Sequence, residues 1–358
     1  METLKSAYSD EYINRLGQSI VKVYKDFPTN AFQKDVFDAA WVDKTLKERM
    51  SHIRACLHKH LNLPFEQATS VLLQIMTTGQ TLELLFVPDY IQTYGINKWK
   101  ISMKAFEGST AFASGEFGVR PFIEKYPEKT FEQLLKWTEH PSEHIRRLAS
   151  ECCRPRLPWS SQLNQLIEDP SPIIPILNKL FNDPSEYVRR SVSNNLNDIC
   201  KDHPNLAIQL AEKWIQSGEL GYKTAKHGIR TLLKRGNQRA LELFGLGANP
   251  AITQKNLSIT QTPITQAEQL CFHFEIINSS TEAIACRLEY RVYYMKKNGK
   301  LQAKIFKISQ KQVPPGINKM ERKHAFKDLS TRKHYPGEHA IEIIINGIAF
   351  EKLSFELI

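Results

Sequence analysis

The sequence predicts a mainly α-helical solenoid followed by an all-β sandwich, on three observations. Apolar residues recur at helical spacing from Tyr8 to Gly245, with Pro or Gly breaks every 12 to 20 residues. After Gly247-Ala-Asn-Pro250 the pattern changes to alternating runs bounded by turn signals, the mark of strands. The helical part also repeats itself, at an offset of 43 residues. With 358 residues, 41% hydrophobic and 24% charged, the chain has ordinary globular composition, which excludes a disordered or fibrous protein and suits roughly two or three domains.

Taken in order, residues 9–110 read as helices without a clear repeat, so atypical pairs or a cap are expected there. Phe131, Leu134, Leu135 and Thr138 then keep helical spacing up to the His140-Pro141 break. HPSEHIRRLAS at 140–150 aligns with DPSEYVRRSVS at 183–193, and YPEKTFEQLLKW at 126–137 aligns with HPNLAIQLAEKW at 203–214, an offset of 77 that inserts account for. A third copy, KHGIRTLLK at 226–234, keeps the Ile-Arg pair. Helical pairs with a period of roughly 40 to 47 residues are the signature of HEAT-type stacking, in which the same face of every repeat lines one concave surface. In the last part, the runs 270–276, 286–294 and 338–345 alternate as strands between turns such as Asn298-Gly299, Pro315-Gly316 and Asn346-Gly347. About seven short strands fit there at sandwich spacing. The expected domains are residues 1–248, helical with a concave binding face, and residues 255–358, a β-sandwich.

Lys and Arg number 48 against 38 Asp and Glu, a net charge of +10. That excess favours a polyanion, either nucleic acid or an acidic membrane surface. No apolar run of about 18 residues occurs, and residues 1–25 mix Glu, Lys, Asp and Arg rather than forming a secretory signal. A cytoplasmic protein, gathered on the nucleoid when bound to DNA, is expected. The six cysteines lack regular spacing and read as reduced core thiols. No CxxC, finger-spaced His or HExxH is present, so no metal is expected. Neither GxxxxGK[ST] nor GxGxxG occurs, so no nucleotide or other cofactor is expected either.

Three constellations carry chemistry. The first is the set of aligned basic residues Arg146, Arg147, Arg189, Arg190, Lys226 and Arg230, with Arg154 and Arg156 nearby. Spaced one repeat apart, about 10 Å, they would contact successive phosphates and gain affinity by counterion release. The same arginines also fit salt bridges internal to a solenoid, for example Arg147 to Glu151 and Glu116 to Arg120 at i,i+4. The second is the segment Glu151-Cys-Cys-Arg154-Pro-Arg156-Leu-Pro-Trp159, where two prolines forbid a continuing helix and leave a rigid loop with two guanidinium groups and an indole. A carboxylate among cations suits stabilising a developing positive charge or orienting water; a Trp packed over a neighbouring repeat is the plainer reading. The third is two further acids. Asp198 lies one turn beyond Asn194, the repeat equivalent of Glu151, and Glu116 opens a helix ahead of the repeats. Acids facing a polyanion cost binding energy, so their presence in a basic groove points to catalysis. In the β domain, Lys296, Lys297, Lys300, Lys304 and Lys307 form a basic hairpin, and residues 251–358 hold 16 Lys and Arg against 10 Asp and Glu. A solvated hairpin or a second nucleic-acid contact both fit.

EFGVRPF at 116–122, WTEHPSEHIRRLASE at 137–151 running into RPRLPW at 154–159, and DPSEYVRRSVSNNLND at 183–198 resemble the AlkC branch of the HEAT-like-repeat alkylpurine DNA glycosylases. Residues from about 255 onward are similar to the immunoglobulin-like C-terminal domain of some members. The resemblance implies excision of cationic alkylated bases, 3-methyladenine foremost and 3-methylcytosine with it, from double-stranded DNA, without flipping the nucleotide into a pocket. By position it places the family's catalytic acids on Glu116, Glu151 and Asp198 and its aromatic on Trp159. The expected DNA-binding residues are Arg147, Arg154, Arg156, Arg190, Lys226 and Arg230, joined by Lys297 and Lys300 of the sandwich hairpin, in a monomer. A non-catalytic DNA-binding or scaffolding solenoid is the alternative; a protein adaptor with an apolar or acidic groove fits the charge less well.

Overall fold

The computed structural model describes residues 4–76, 82–265, 268–328 and 333–358. By contact, the chain forms two compact units, residues 1–203 with 213–228 and residues 204–212 with 229–358.

The first unit opens with six helices, α1 (Asp10–Val23), α2 (Thr29–Val36), α3 (Leu46–Leu61), α4 (Phe65–Ile75), α5 (Phe86–Gly95) and α6 (Trp99–Ser109). Their ends follow local chemistry. Ser9 accepts from the Tyr12 amide to start α1, Thr45 and Glu48 form a reciprocal capping box on α3, and Asn62 closes α3 in the left-handed region at φ 46°. Here α1 packs on α2 and α4, and α3 on α2 and α5. There follow α7 (Glu116–Lys125), α8 (Pro127–Trp137), α9 (Glu143–Glu151), α10 (Asn164–Glu168), α11 (Ile174–Leu180), α12 (Glu186–Ile199), then α13 (Pro204–Ile215), most of which belongs to the second unit, and α14 (Glu219–Gly228). Helix α12 packs against both α9 and α14, so the three make a row with α12 in the middle. Pro127 and Pro204 each begin a helix, where a missing N–H costs nothing. Trp137 and Trp214, matched at the 77-residue offset, are both fully buried, their indole N–H groups bonded to Glu107 and Asn178.

The paired arginines divide their work. Arg146 donates to the carbonyls of His140 and Pro141 at 2.9 and 2.8 Å, and Arg189 repeats this on Asp183 and Pro184 at 2.5 and 2.9 Å. Arg146 also grips Asp183 with Nε and Nη2 at 2.7 and 3.0 Å, tying the first repeat to the second. The first arginine of each pair is therefore a solenoid-internal clasp, leaving only the second, Arg147 or Arg190, for other work.

The third repeat has a different register from the one the Ile-Arg match suggests. Helices α9, α12 and α14 begin at Glu143, Glu186 and Glu219, so Lys223 is the counterpart of Arg147 and Arg190, and Lys226 that of Ser150 and Ser193. Ile229 falls beyond α14, in a break, and Arg230 opens the next short helix. Gly228 is the last residue of α14: a Cβ there would come within 2.6 Å of Leu196 on α12, so the close approach needs glycine.

The second unit carries two short helices, α15 (Arg230–Lys234) and α16 (Gln238–Glu242), and seven strands among the described residues: β1 (Ile252–Ile259), β2 (Gln269–Asn278), β3 (Ile284–Met295), β4 (Leu301–Val313), β5 (Gly316–Ala325), β6 (Gly337–Ile345) and β7 (Ile348–Leu357). They form two antiparallel sheets in the orders β1-β2-β5 and β4-β3-β6-β7. Leu270, Phe272, Phe274 and Ile276 from β2 meet Leu288, Tyr290, Val292 and Tyr294 from β3 in one core, the period-2 pattern made solid. The Asn346-Gly347 turn lies against the helical part of the unit: Gln238 donates to the Asn346 carbonyl at 3.2 Å, and Asn346 donates to the Gly247 carbonyl at 3.0 Å. Helix gives way to strand near residue 248, whereas the compact units part earlier because of such contacts. Among the described residues no helix is long and apolar enough to cross a membrane.

Candidate active site

Glu116 is the first residue of α7, Glu151 the last of α9, and Asp198 stands near the end of α12. Their side chains converge, linked by two arginines, with a lysine on the last of them. Arg147 reaches Glu116 with both terminal nitrogens at 3.2 Å and Glu151 at 3.8 Å. Arg154 donates to Glu151 at 2.7 Å through Nη1 and to Asp198 at 3.0 Å through Nε. Lys201 donates to the other Asp198 oxygen at 2.9 Å. Three carboxylates thus alternate with three cations in one continuous chain of ion pairs, Glu116, Arg147, Glu151, Arg154, Asp198, Lys201. The three acids are 6%, 6% and 2% exposed and so nearly withdrawn from water, while Lys201 at the end of the chain is exposed.

Neutral partners complete the coordination. Ser114 donates its hydroxyl to Glu116 and accepts from Arg147 at 2.5 Å. Ser191 on α12 donates to Glu151 at 2.7 Å. Tyr187, one turn earlier on α12, is 43% exposed and lies under the Arg147 guanidinium at 5.2 Å. Burial alone would pull the guanidinium groups of Arg147 and Arg154 down, but Glu116 and Glu151 beside the first, and Glu151 and Asp198 beside the second, raise both above their ordinary value. Carboxylates whose counter-ions are fixed form an oriented field that need not reorganise when positive charge develops nearby.

Trp159 lies in the loop between α9 and α10, in the left-handed region at φ 66°, with 73% of its surface exposed. The plainer reading, a Trp packed over a neighbouring repeat, is thereby corrected: most of the indole is presented rather than covered. It shares a cavity of about 350 Å³ with Ser114 and Phe117, which puts it on the Glu116 side of the ion-pair chain.

Several sequence expectations change. Arg147 and Arg154, assigned to phosphates, have guanidinium groups committed to the acids, because a buried carboxylate left without a cation would cost several kcal/mol, on the order of 3–5. Glu116 does not pair with Arg120; Arg120 points into the interior and Arg147 takes its place. Arg156 forms a two-pronged pair with Asp202 at 2.9 and 3.1 Å. Arg190 remains 71% exposed, 3.8 Å from Glu186. With Arg189, Lys223 and His227 it lines a cavity of about 380 Å³ between α12 and α14. Lys226 contacts Tyr222 on its own helix. Arg230, Lys297 and Lys300 belong to the second unit, the two lysines exposed at the β3–β4 turn. Sequence reasoning missed Ser114, Ser191, Tyr187 and Lys201. Only Lys201 left a signal, its i,i+3 spacing from Asp198.

Residues 253–358 match the family described as the C-terminal Ig-like domain of the uncharacterised protein YhaZ, and residues 173–203 match the HEAT repeat. The chain is 39% identical over 358 residues to the uncharacterised protein YhaZ of Bacillus subtilis (strain 168), covering 100% of both. It is similar to the alkylpurine DNA glycosylase AlkC of Pseudomonas fluorescens, solved bound to DNA containing an abasic site analogue, with 33% identity, a TM-score of 0.94 and 100% of each chain covered.

Proposed function

The chain belongs to the AlkC family of alkylpurine DNA glycosylases, with HEAT-like repeats and an immunoglobulin-like C-terminal domain, and from that premise we propose that it is a glycosylase of DNA alkylation repair. Its substrates are cationic alkylated bases in duplex DNA, 3-methyladenine and 3-methylcytosine. The observation that carries this reading is the convergence of Glu116, Glu151 and Asp198, from three different helices, into one ion-pair chain.

An N3-alkylated base already bears positive charge and leaves readily, so no general acid is required. The sugar left behind becomes oxocarbenium-like, and fixed carboxylates stabilise it while Glu151 or Asp198 orients the attacking water. Trp159 lies against the deoxyribose, and the base is excised without being flipped into a pocket. Arg147 and Arg154 hold the acids in place. Arg156, Arg190, Lys226 and Arg230, with Lys223 added, contact phosphates, and Lys297 and Lys300 supply further backbone contact. Lys201 is engaged with Asp198, and the expected product is an abasic site in an intact strand.

The test is incubation of the purified chain with duplexes carrying 3-methyladenine, 3-methylcytosine or 7-methylguanine. The expected result is release of the N3-methylated bases and an abasic strand that breaks only on alkali treatment. Tight binding with no base released from any duplex would favour the scaffolding reading instead.

A further inference from the structure

Arg120, on α7, is among the largest fully buried side chains, only 2% exposed. Among the described residues no carboxylate lies within ion-pair distance of it. Its guanidinium instead donates to three backbone carbonyls of a single loop: Cys152 at 2.9 Å and Arg154 at 2.7 Å through Nη1, and Ser161 at 2.7 Å through Nη2. Burial pulls its pKa down from the usual guanidinium value, the mark of a cation placed where solvation is poor. An unpaired charge in such a place is costly, and a neutral side chain would fill the space more cheaply. What the guanidinium uniquely supplies is a planar fork of donors able to hold three acceptors at once.

The loop has few anchors besides that fork and Lys47, which donates to the Trp159 carbonyl at 2.9 Å. Between Glu151 and Asn164 there is no helix or strand, and Pro155 and Pro158 donate no backbone bonds. Within it only three backbone bonds form, Arg154 to Glu151, Ser160 to Leu157 and Leu163 to Pro155. Yet the loop must hold Trp159 at a positive φ with its indole presented, a strained arrangement for a bulky residue that persists only if the surroundings impose it. Arg120 fixes the chain on both sides of that residue. It also fixes the backbone of Arg154, the side chain that joins Glu151 to Asp198.

We propose that Arg120 is a positioning residue of the reaction, a buried clamp on the 152–161 loop that sets the Trp159 indole and the Arg154 link between the acids in register with each other. The proposal rests on the glycosylase reading for its kinetic consequence but not for its structural one. No other side chain on α7 makes these bonds, and lysine, with one nitrogen, cannot span the three carbonyls.

The experiment compares Arg120→Lys and Arg120→Gln with the parent as full chains. Single-turnover excision, affinity for an abasic duplex and acrylamide quenching of Trp159 are measured, the last as the difference made by Trp159→Phe in each background. Arg120→Lys keeps the charge and most of the volume, so it serves if the glutamine variant does not fold. The clamp predicts a loss of excision of roughly 10- to 100-fold in the folded variants, abasic-duplex affinity within about threefold of the parent, and a changed quenching constant for Trp159 even without DNA. Parent-like Trp159 quenching in folded Arg120→Lys overturns the proposal, as does an excision loss that only tracks the unfolded fraction. If the parent releases no base, the glycosylase reading fails, and the DNA-free quenching of Trp159 still decides whether Arg120 is the clamp.

Discussion

Arg154 is the residue on which the candidate site turns, since one guanidinium satisfies carboxylates from two helices. Replacing it by Met leaves Glu151 and Asp198 buried with one fewer cation between them. Chemical denaturation should show a loss on the order of 3–5 kcal/mol, and a loss below about 1 kcal/mol would mean the pairs are no more than surface-like. A second residue makes stability depend on pH. His339 in the sandwich core is fully buried among Phe326, Phe355 and Tyr294, its ring nitrogens make no hydrogen bond, and burial, aided by the charge of His334, lowers its pKa to about 4. Its unfolded value is about 6.5. Because the folded value is the lower one, its stabilising contribution is whole above about pH 6.5 and drains away as pH falls towards the folded value, by about 3 kcal/mol in all. Denaturation midpoints between pH 7 and pH 4.5 should therefore fall more steeply for the parent than for His339→Leu; equal slopes would contradict the assignment.

At the scale of elements, the row α9, α12, α14 decides which positive charges are available. The repeat itself was legible in the sequence because its loops demand it: the His140-Pro and Asp183-Pro starts are held by Arg146 and Arg189 in the same way. Which arginine of each pair clasps its loop was not legible, since both lie within one turn and only packing separates them. The register of the third repeat was hidden for a related reason. Ile229-Arg230 imitates the motif, while α14 ends at Gly228, before it. Gly228→Ala should cost about 1–3 kcal/mol by overpacking against α12, seen as a lower melting temperature. Around the cavity between α12 and α14, Arg190 and Lys223 are the side chains expected to meet phosphates. Replacing both by Ala should reduce the slope of log K against log salt by up to about 1.8, or about 0.9 per phosphate contact. An unchanged slope would place the DNA elsewhere.

For the molecule as a whole, the division into a helical solenoid and a β-sandwich was readable from periodicity alone, because a period of 3.6 and a period of 2 bury different residues. The three acids were found as a set by resemblance and by repeat alignment, but their joining through Arg147, Arg154 and Lys201 was not, since it depends on three helices meeting in space. Net charge pointed to a polyanion, and the structure then shows several of the positive groups turned inward to hold acids or loops. The measurement that tests this account most directly is single-turnover release of 3-methyladenine by Glu151→Gln and Asp198→Asn, alongside their affinity for an abasic duplex. The account predicts excision reduced by roughly 100-fold or more with affinity within about threefold of the parent. Excision at the parent rate in both variants would contradict it.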